Sequence, residues 1–162
     1  MARGARTDPD AWVDAAYARF CSEGLAGVRV EALARDLGAT KGSFYWHFAG
    51  RRALVDAVMQ RWEQSETDRY IAAADAFADP RARIQALFSV VGERRPPGED
   101  RLYMTAVDEG VGHVVERVTD RRIRFVAEIL EEHGIPADEA ENRAVISLAG
   151  ILGLEQLAQG GA

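Results

Sequence analysis

Residues 30–48 read VEALARDLGATKGSFYWHF, and this stretch decides the fold of the chain. Its apolar positions 30, 33, 34 and 37 follow the i, i+3, i+4, i+7 spacing of a short amphipathic helix, and Gly38 can adopt the positive φ that ends such a helix. A second helix is predicted to begin at Lys41 and to end near His47. Two short helices joined by a glycine turn predict a helix-turn-helix, whose second helix enters the major groove of DNA.

The second helix carries side chains that are costly to expose. Tyr45 and Trp46 are adjacent, and such a surface is expected to meet a partner. We expect Phe44 and Phe48 to face inward and Tyr45 to face DNA; the alternative is that Tyr45 and Trp46 only close the core. Lys41 is the single lysine beside nineteen arginines, and its compact, flexible cation suits guanine O6/N7 or a phosphate.

The rest of the chain repeats a helical period and contains almost no strand pattern. An all-α fold is therefore predicted, with an N-terminal three-helix DNA-binding head and a C-terminal helical effector and dimerisation domain. The predicted domain boundaries are 1–7 for a disordered basic arm, 8–50 for the helix-turn-helix domain, 51–71 for a connecting helix and 72–159 for the ligand-binding and dimerisation domain. Predicted helices cover about 9–23, 30–37, 41–47, 51–71, 80–91, 100–109, 112–133 and 137–158.

Charge is distributed unevenly along the chain, although the net charge is −6. Residues 1–62 carry nine Lys or Arg against seven Asp or Glu, whereas the remainder carries eleven against nineteen. A basic head on an acidic body is typical of a protein that meets phosphate at one end. No stretch approaches 18 consecutive apolar residues and no secretory signal is recognisable, which predicts a cytoplasmic protein without membrane partners. The single cysteine excludes an internal disulfide, and no metal or cofactor is expected.

Residues 9–62 resemble the TetR family of bacterial transcriptional regulators. The resemblance rests on Leu33-Ala34 before the turn, on Gly38-Ala39-Thr40 within it, and on an aromatic-rich helix that ends in His47-Phe48. It implies a repressor that binds a palindromic operator as a homodimer and is released by a small-molecule effector. An alternative is a DNA-binding regulator whose C-terminal domain binds a protein partner.

The resemblance also implies which residues meet double-stranded DNA. The candidates are Arg29, Thr40, Lys41, Gly42, Ser43, Tyr45, Trp46, His47 and Arg51. Phosphate contacts are implied for Thr40, Tyr45, His47 and Arg51, and base-edge contacts for Lys41, Ser43 and Trp46. Two positions depart from the family pattern, because Arg29 replaces the usual capping Ser or Thr and Gly50-Arg51 replaces Ser/Asp-Lys.

The helix predicted over 137–158 is apolar around more than one face, so it must be covered on two sides. One side can pack on its own domain and the other on a second subunit, with Gly150 and Gly153 permitting close approach. The alternative is a central core helix in a monomer. The candidate dimer residues are Val118, Phe125, Val145, Leu148, Ile151 and Leu152.

A pocket for a small apolar effector is predicted among the middle helices. The candidate lining residues are Trp62, Phe88, Tyr103, Met104, Val107 and Phe125, and the alternative for each is ordinary core packing. An enzyme is not expected, since the sequence contains no His-Glu-x-x-His pair, nucleophile elbow or phosphate-binding loop. His113 is interpreted as a solvated residue at a helix start.

Overall fold

The computed structural model describes residues 8–91 and 97–159, and within them it contains eight α-helices, one short 3₁₀ turn at Leu25–Gly27 and no strand. The helices are α1 (Pro9–Glu23), α2 (Val30–Asp36), α3 (Lys41–His47), α4 (Arg51–Asp75), α5 (Pro80–Val91), α6 (Pro97–Thr105), α7 (Gly112–Glu132) and α8 (Ala137–Gln159). The predicted all-α fold is confirmed. The predicted arm at 1–7 lies outside the described residues.

Two helices begin at an aspartate that directly precedes a proline. The Asp8 carboxylate accepts a hydrogen bond from the backbone N–H of Asp10 at 3.1 Å, and Asp79 accepts one from Ala82 at 2.9 Å. These bonds satisfy N–H groups that have no partner in the first turn of a helix, while the proline has no N–H to satisfy. Both helix starts are therefore encoded locally.

The turn between α2 and α3 is closed by backbone hydrogen bonds. Gly38 has φ +60°, its N–H donates to Arg35 O at 3.2 Å, and the Ala39 N–H donates to Ala34 O at 2.8 Å. This pair of bonds is the Schellman arrangement, which needs a residue that tolerates positive φ. The glycine turn thus fixes the direction in which α3 leaves α2.

The described residues of Met1–Glu63 and Arg95–Gly112 form one compact unit. Its core is built on the fully buried side chains of Trp12, Phe20, Leu33 and Phe44. The rings of Trp12 and Phe44 meet edge to face with centroids 5.3 Å apart, an arrangement that aromatic pairs favour. Leu54, Val55, Val58 and Met59 of α4 are also buried. The inner face of α3 is therefore anchored on α1 and α2.

The described residues of Gln64–Arg94 and His113–Ala162 form a second compact unit. One cluster joins the end of α4 to α5 and α7 through Tyr70, Leu87 and Ile129. Another joins α7 to α8 through Ala127, Ala140 and Ala144, with Leu130 packed against it. Small side chains at this contact allow α7 and α8 to approach closely.

The helix predicted over 100–109 is displaced in the structure, where α6 spans Pro97–Thr105. The sequence Pro96-Pro97-Gly98 predicts a loop, but Pro97 instead takes the first helical position, which tolerates proline. Gly98 lies against the end of α1: a Cβ atom at this glycine would be 1.6 Å from Phe20 O. Because α6 packs on α1, it belongs to the first unit, whereas the sequence predicts one C-terminal domain over 72–159. In addition, α4 extends to Asp75 rather than ending near 71.

Candidate nucleic-acid interface

The two faces of α3 differ sharply in exposure. Phe44 is 0% exposed, whereas Tyr45 is 61% and Trp46 is 79% exposed. Phe48 is half-buried and stacks on Phe44 with a centroid distance of 5.4 Å. The inward orientation expected of Phe44 is found, and the alternative that Tyr45 and Trp46 close the core does not hold. The helix presents an aromatic surface to solvent.

The N-terminus of α3 is capped by Thr40. Its hydroxyl oxygen accepts a hydrogen bond from the Ser43 N–H at 3.1 Å. By contrast, Arg29 precedes α2 and makes no side-chain capping bond, as its chemistry predicts. Gly42 and His47 are exposed on α3. All the predicted residues from 40 to 47 therefore lie on or directly before one short helix.

Lys41 at the start of α3 contacts Glu31 in the first turn of α2. The Lys41 ammonium lies 2.6 Å from Glu31 Oε1, and the two side chains are 58% and 64% exposed. The hydrogen bond with Glu31 raises the pKa of Lys41, and the same bond lowers the pKa of Glu31. Glu31 is absent from the residues predicted from sequence, because the two partners are ten positions apart and no periodic pattern relates them.

Arg51, predicted to contact phosphate, makes several contacts within its own chain. Its Nε donates to Val28 O at 2.8 Å and its Nη2 donates to Leu25 O at 2.6 Å. The same guanidinium pairs with Glu109 at 3.1 Å. Arg51 thereby joins the segment before α2 to the turn after α6. Arg52 adds a bond from Nη2 to Gly110 O at 3.0 Å.

The residues predicted to line an effector pocket do not share one environment. Trp62 is in the core of the first unit at 1% exposed, whereas Met104 and Val107 are 72% and 83% exposed. Tyr103 is half-buried. The second unit contains a partly open cavity of about 250 Å³, and Phe88 is the predicted residue that lines it. Its lining residues are Ile84, Phe88, Val126, Leu130, Arg143, Ile146 and Ser147.

The predicted dimer residues also divide into two groups. Val118 is 1% exposed and belongs to the core of its own chain, and Phe125 is half-buried beneath the guanidinium of Arg83. Val145 is 44% exposed. Leu148, Ile151 and Leu152 are half-buried. The sequence did not single out the most exposed apolar residues of α8, which are Ile146, Leu154 and Leu157.

No helix within residues 8–91 and 97–159 is both long and apolar enough to cross a membrane. The same residues hold no group of three or more His, Cys, Asp or Glu side chains placed to bind a metal ion.

Comparison with known proteins agrees with the structure. Residues 13–58 match the family model described as bacterial regulatory proteins, tetR family. The repressor KstR2 of Mycobacterium tuberculosis H37Rv is 33% identical over 76 residues, which cover 47% of this chain and 38% of that protein. The chain thus matches well under half the length of this curated relative.

Two solved structures share the fold over nearly the whole chain. A transcriptional regulator from Rhodococcus sp. Rha1 superposes with a TM-score of 0.73 at 21% identity, covering 95% of this chain and 84% of that one. KstR2 itself superposes with a TM-score of 0.58 at 20% identity, covering 94% and 95%. The fold and the exposed α3 define a helical protein of the helix-turn-helix class, and the proteins it resembles are regulators rather than enzymes. The amino-terminal segment of the chain, residues 13–58, is thus similar to the tetR family of bacterial regulatory proteins.

Proposed function

We propose that the protein is a DNA-binding transcriptional repressor that binds a palindromic operator as a homodimer and is released by a small apolar effector. The observation that carries this proposal is the exposure of Tyr45 and Trp46, at 61% and 79%, on a helix whose inner face is anchored by buried Phe44. An exposed aromatic surface costs free energy unless a partner covers it. A helix seven residues long reaches only a few base pairs, so specificity requires a second copy.

The chemistry along α3 suits both kinds of DNA contact. Lys41, Ser43 and Trp46 are proposed to face base edges, and Tyr45 and His47 are proposed to face phosphates. Thr40 accepts a hydrogen bond from Ser43, which leaves its hydroxyl proton for donation to a phosphate oxygen. The hydrogen bond with Ser43 therefore holds the Thr40 hydroxyl in place before DNA binds, so that binding need not order this side chain.

Selection of bound duplexes from a random DNA pool tests the proposal directly. We expect a pseudo-palindrome whose half-sites lie about one helical turn apart. The double variant with Lys41→Ala and Tyr45→Ala should bind the selected duplex about 100-fold more weakly or worse. The matched control is the double variant with Arg121→Ala and Phe77→Ala, which replaces one exposed cation and one exposed aromatic residue outside α3. Full affinity in the first double variant would refute the assignment of α3.

The dimer is proposed to form through the apolar surface of α8. Ile146, Leu154 and Leu157 are 61–71% exposed in the chain, and a twofold-related copy would cover each of them. Leu154→Lys should shift the protein from dimer to monomer in analytical ultracentrifugation. The control Val107→Lys alters a residue that is 83% exposed but outside α8. Equal dimerisation by both variants would contradict this surface.

The effector is proposed to occupy the second unit, where the cavity of about 250 Å³ has mostly apolar walls. This volume lies just below the usual range for ligand pockets, which favours a small ligand. A compound present at 100 times its dissociation constant should stabilise the protein by about 2.7 kcal/mol in a thermal-shift screen. The alternative is that the C-terminal domain binds a protein partner rather than a small ligand. A broad apolar library without hits would support that partner.

A further inference from the structure

Glu31 and Lys41 form an ion pair at the tip of the helix-turn-helix. Glu31 is the second residue of α2 and Lys41 is the first residue of α3, and the turn brings their charged groups to 2.6 Å. Lys41 is the only lysine of the chain. The only ammonium side chain of the protein is therefore held by a carboxylate on the surface proposed to meet DNA.

Helix electrostatics explains why a carboxylate is needed at this place. A cation in the first turn of α3 lies at the positive end of that helix, whereas an anion in the first turn of α2 is favoured. Glu31 therefore offsets an unfavourable position of Lys41. An ion pair this exposed adds little to stability, so Glu31 can be replaced without unfolding the protein.

We propose that Glu31 is a specificity-determining residue that restrains Lys41 from backbone phosphates and leaves it available to a base edge. An ammonium group has three N–H donors. Glu31 takes one, and the other two can donate to guanine O6 and N7. A phosphate oxygen is an anion, and one ammonium holding it beside the Glu31 carboxylate is unfavourable. Contact with a phosphate therefore favours breaking the pair, which leaves the carboxylate near the phosphate without a partner. The inference rests on the proposed DNA-binding function.

The restraint of Lys41 by Glu31 affects binding to random DNA differently from binding to the operator. Binding to random DNA depends almost entirely on phosphate contacts, so it bears the full cost of breaking the pair. In the operator complex, Lys41 contacts a base and keeps its bond to Glu31. Glu31 thus weakens non-specific binding more than specific binding.

Glu31→Gln tests this difference on two duplexes, the selected operator and its scrambled sequence, over a salt series. Affinity for the scrambled duplex should rise about two- to five-fold, because breaking an exposed ion pair lowers affinity by about this factor. Its salt dependence should steepen by up to about one counterion. Affinity for the operator should change less than about two-fold. Glu31→Ala, which removes the acceptor entirely, should behave in the same way.

Two controls separate restraint from a general effect of charge. Asp14→Asn removes one negative charge from a different exposed pair, that with Arg61, and should leave the ratio of the two affinities unchanged. In a Lys41→Gln background, Glu31→Gln should also leave this ratio unchanged, because there is no ammonium to restrain. Equal gains on both duplexes, or a change in the ratio without Lys41, would overturn the proposal.

The same experiment distinguishes the two levels of inference. A wild-type protein that does not prefer the selected duplex would refute the proposed function, and the role of Glu31 with it. A wild-type protein that discriminates, beside a Glu31→Gln variant that discriminates equally well, would refute the role of Glu31 alone.

Discussion

Arg51→Gln removes the contacts that hold the segment before α2. The Arg51 guanidinium donates to Leu25 O at 2.6 Å and to Val28 O at 2.8 Å, and it pairs with Glu109 at 3.1 Å. Leu25 and Val28 are themselves buried. Glutamine is too short to reach both carbonyl oxygens from the same backbone position. The variant therefore leaves two acceptors in a partly buried place without their charged donor.

The expected loss of stability follows from these contacts. A hydrogen bond from a charged donor contributes about 1.5–3 kcal/mol. The Arg51 side chain is 41% exposed, so water can replace part of each bond, and the two together should contribute about 2 kcal/mol. The pair with Glu109 adds at most about 1 kcal/mol, since exposed ion pairs are weak. A loss of about 2–3 kcal/mol lowers Tm by about 4–12 °C for a chain of this size.

Urea denaturation followed by circular dichroism measures this loss. Arg61→Gln is the matched control. The Arg61 side chain is 47% exposed, pairs with exposed Asp14 and lies over the Tyr17 ring, so this variant should lose about 1 kcal/mol. The reasoning is refuted if both variants are equally stable while Arg51→Gln binds operator more weakly and with a shallower salt dependence. That result would make Arg51 a phosphate contact, as the family resemblance implies, rather than a structural anchor.

Three further predictions concern the same unit. Gly98→Ala should destabilise the protein by about 1–3 kcal/mol or more in urea, since its Cβ would lie 1.6 Å from Phe20 O. Gly42→Ala places a Cβ 3.7 Å from its nearest neighbour, which is an ordinary contact, and should stabilise α3 by up to about 1 kcal/mol. If this variant binds the operator more weakly, DNA approaches the backbone at Gly42 closely; unchanged binding would exclude such an approach. In carboxyl NMR titrations the pKa of Glu31 should lie below its ordinary value, and Lys41→Gln should raise it. Because the pKa of Glu31 is lower in the folded than in the unfolded state, the ion pair stabilises the fold at neutral pH, and this stabilisation is lost as the pH falls through the folded pKa.

The amino-terminal helices could be predicted from sequence because their determinants are local. Asp8 caps α1, Gly38 closes α2, and the apolar spacing orients both helices. The exposure of Tyr45 was predictable for the same reason, since Phe44 must face inward on a helix this short. Within α1 to α3, neighbouring residues fix the structure.

The contacts that sequence did not predict join distant segments. Arg51 and Glu109 are 58 residues apart, and no sequence pattern around either residue relates them. Gly98 fits against Phe20 O only because α6 packs on α1. The apolar residues of α8 lie around more than one face of the helix, which indicates that two sides must be buried. This pattern does not show which of these side chains remain exposed in the single chain. Exposure of Leu154 therefore required the structure.

Arg51 also changes how the helix-turn-helix should be understood. The glycine turn fixes α3 relative to α2, but it does not fix the pair relative to α4. The Arg51 bonds to Leu25 O and Val28 O, which lie just before α2 begins, add to the core packing that sets this placement. Glu109 contacts the same guanidinium, and Gly112 begins α7 only three residues later. The contacts that hold α2 and α3 thus include Glu109, a residue of the turn after α6.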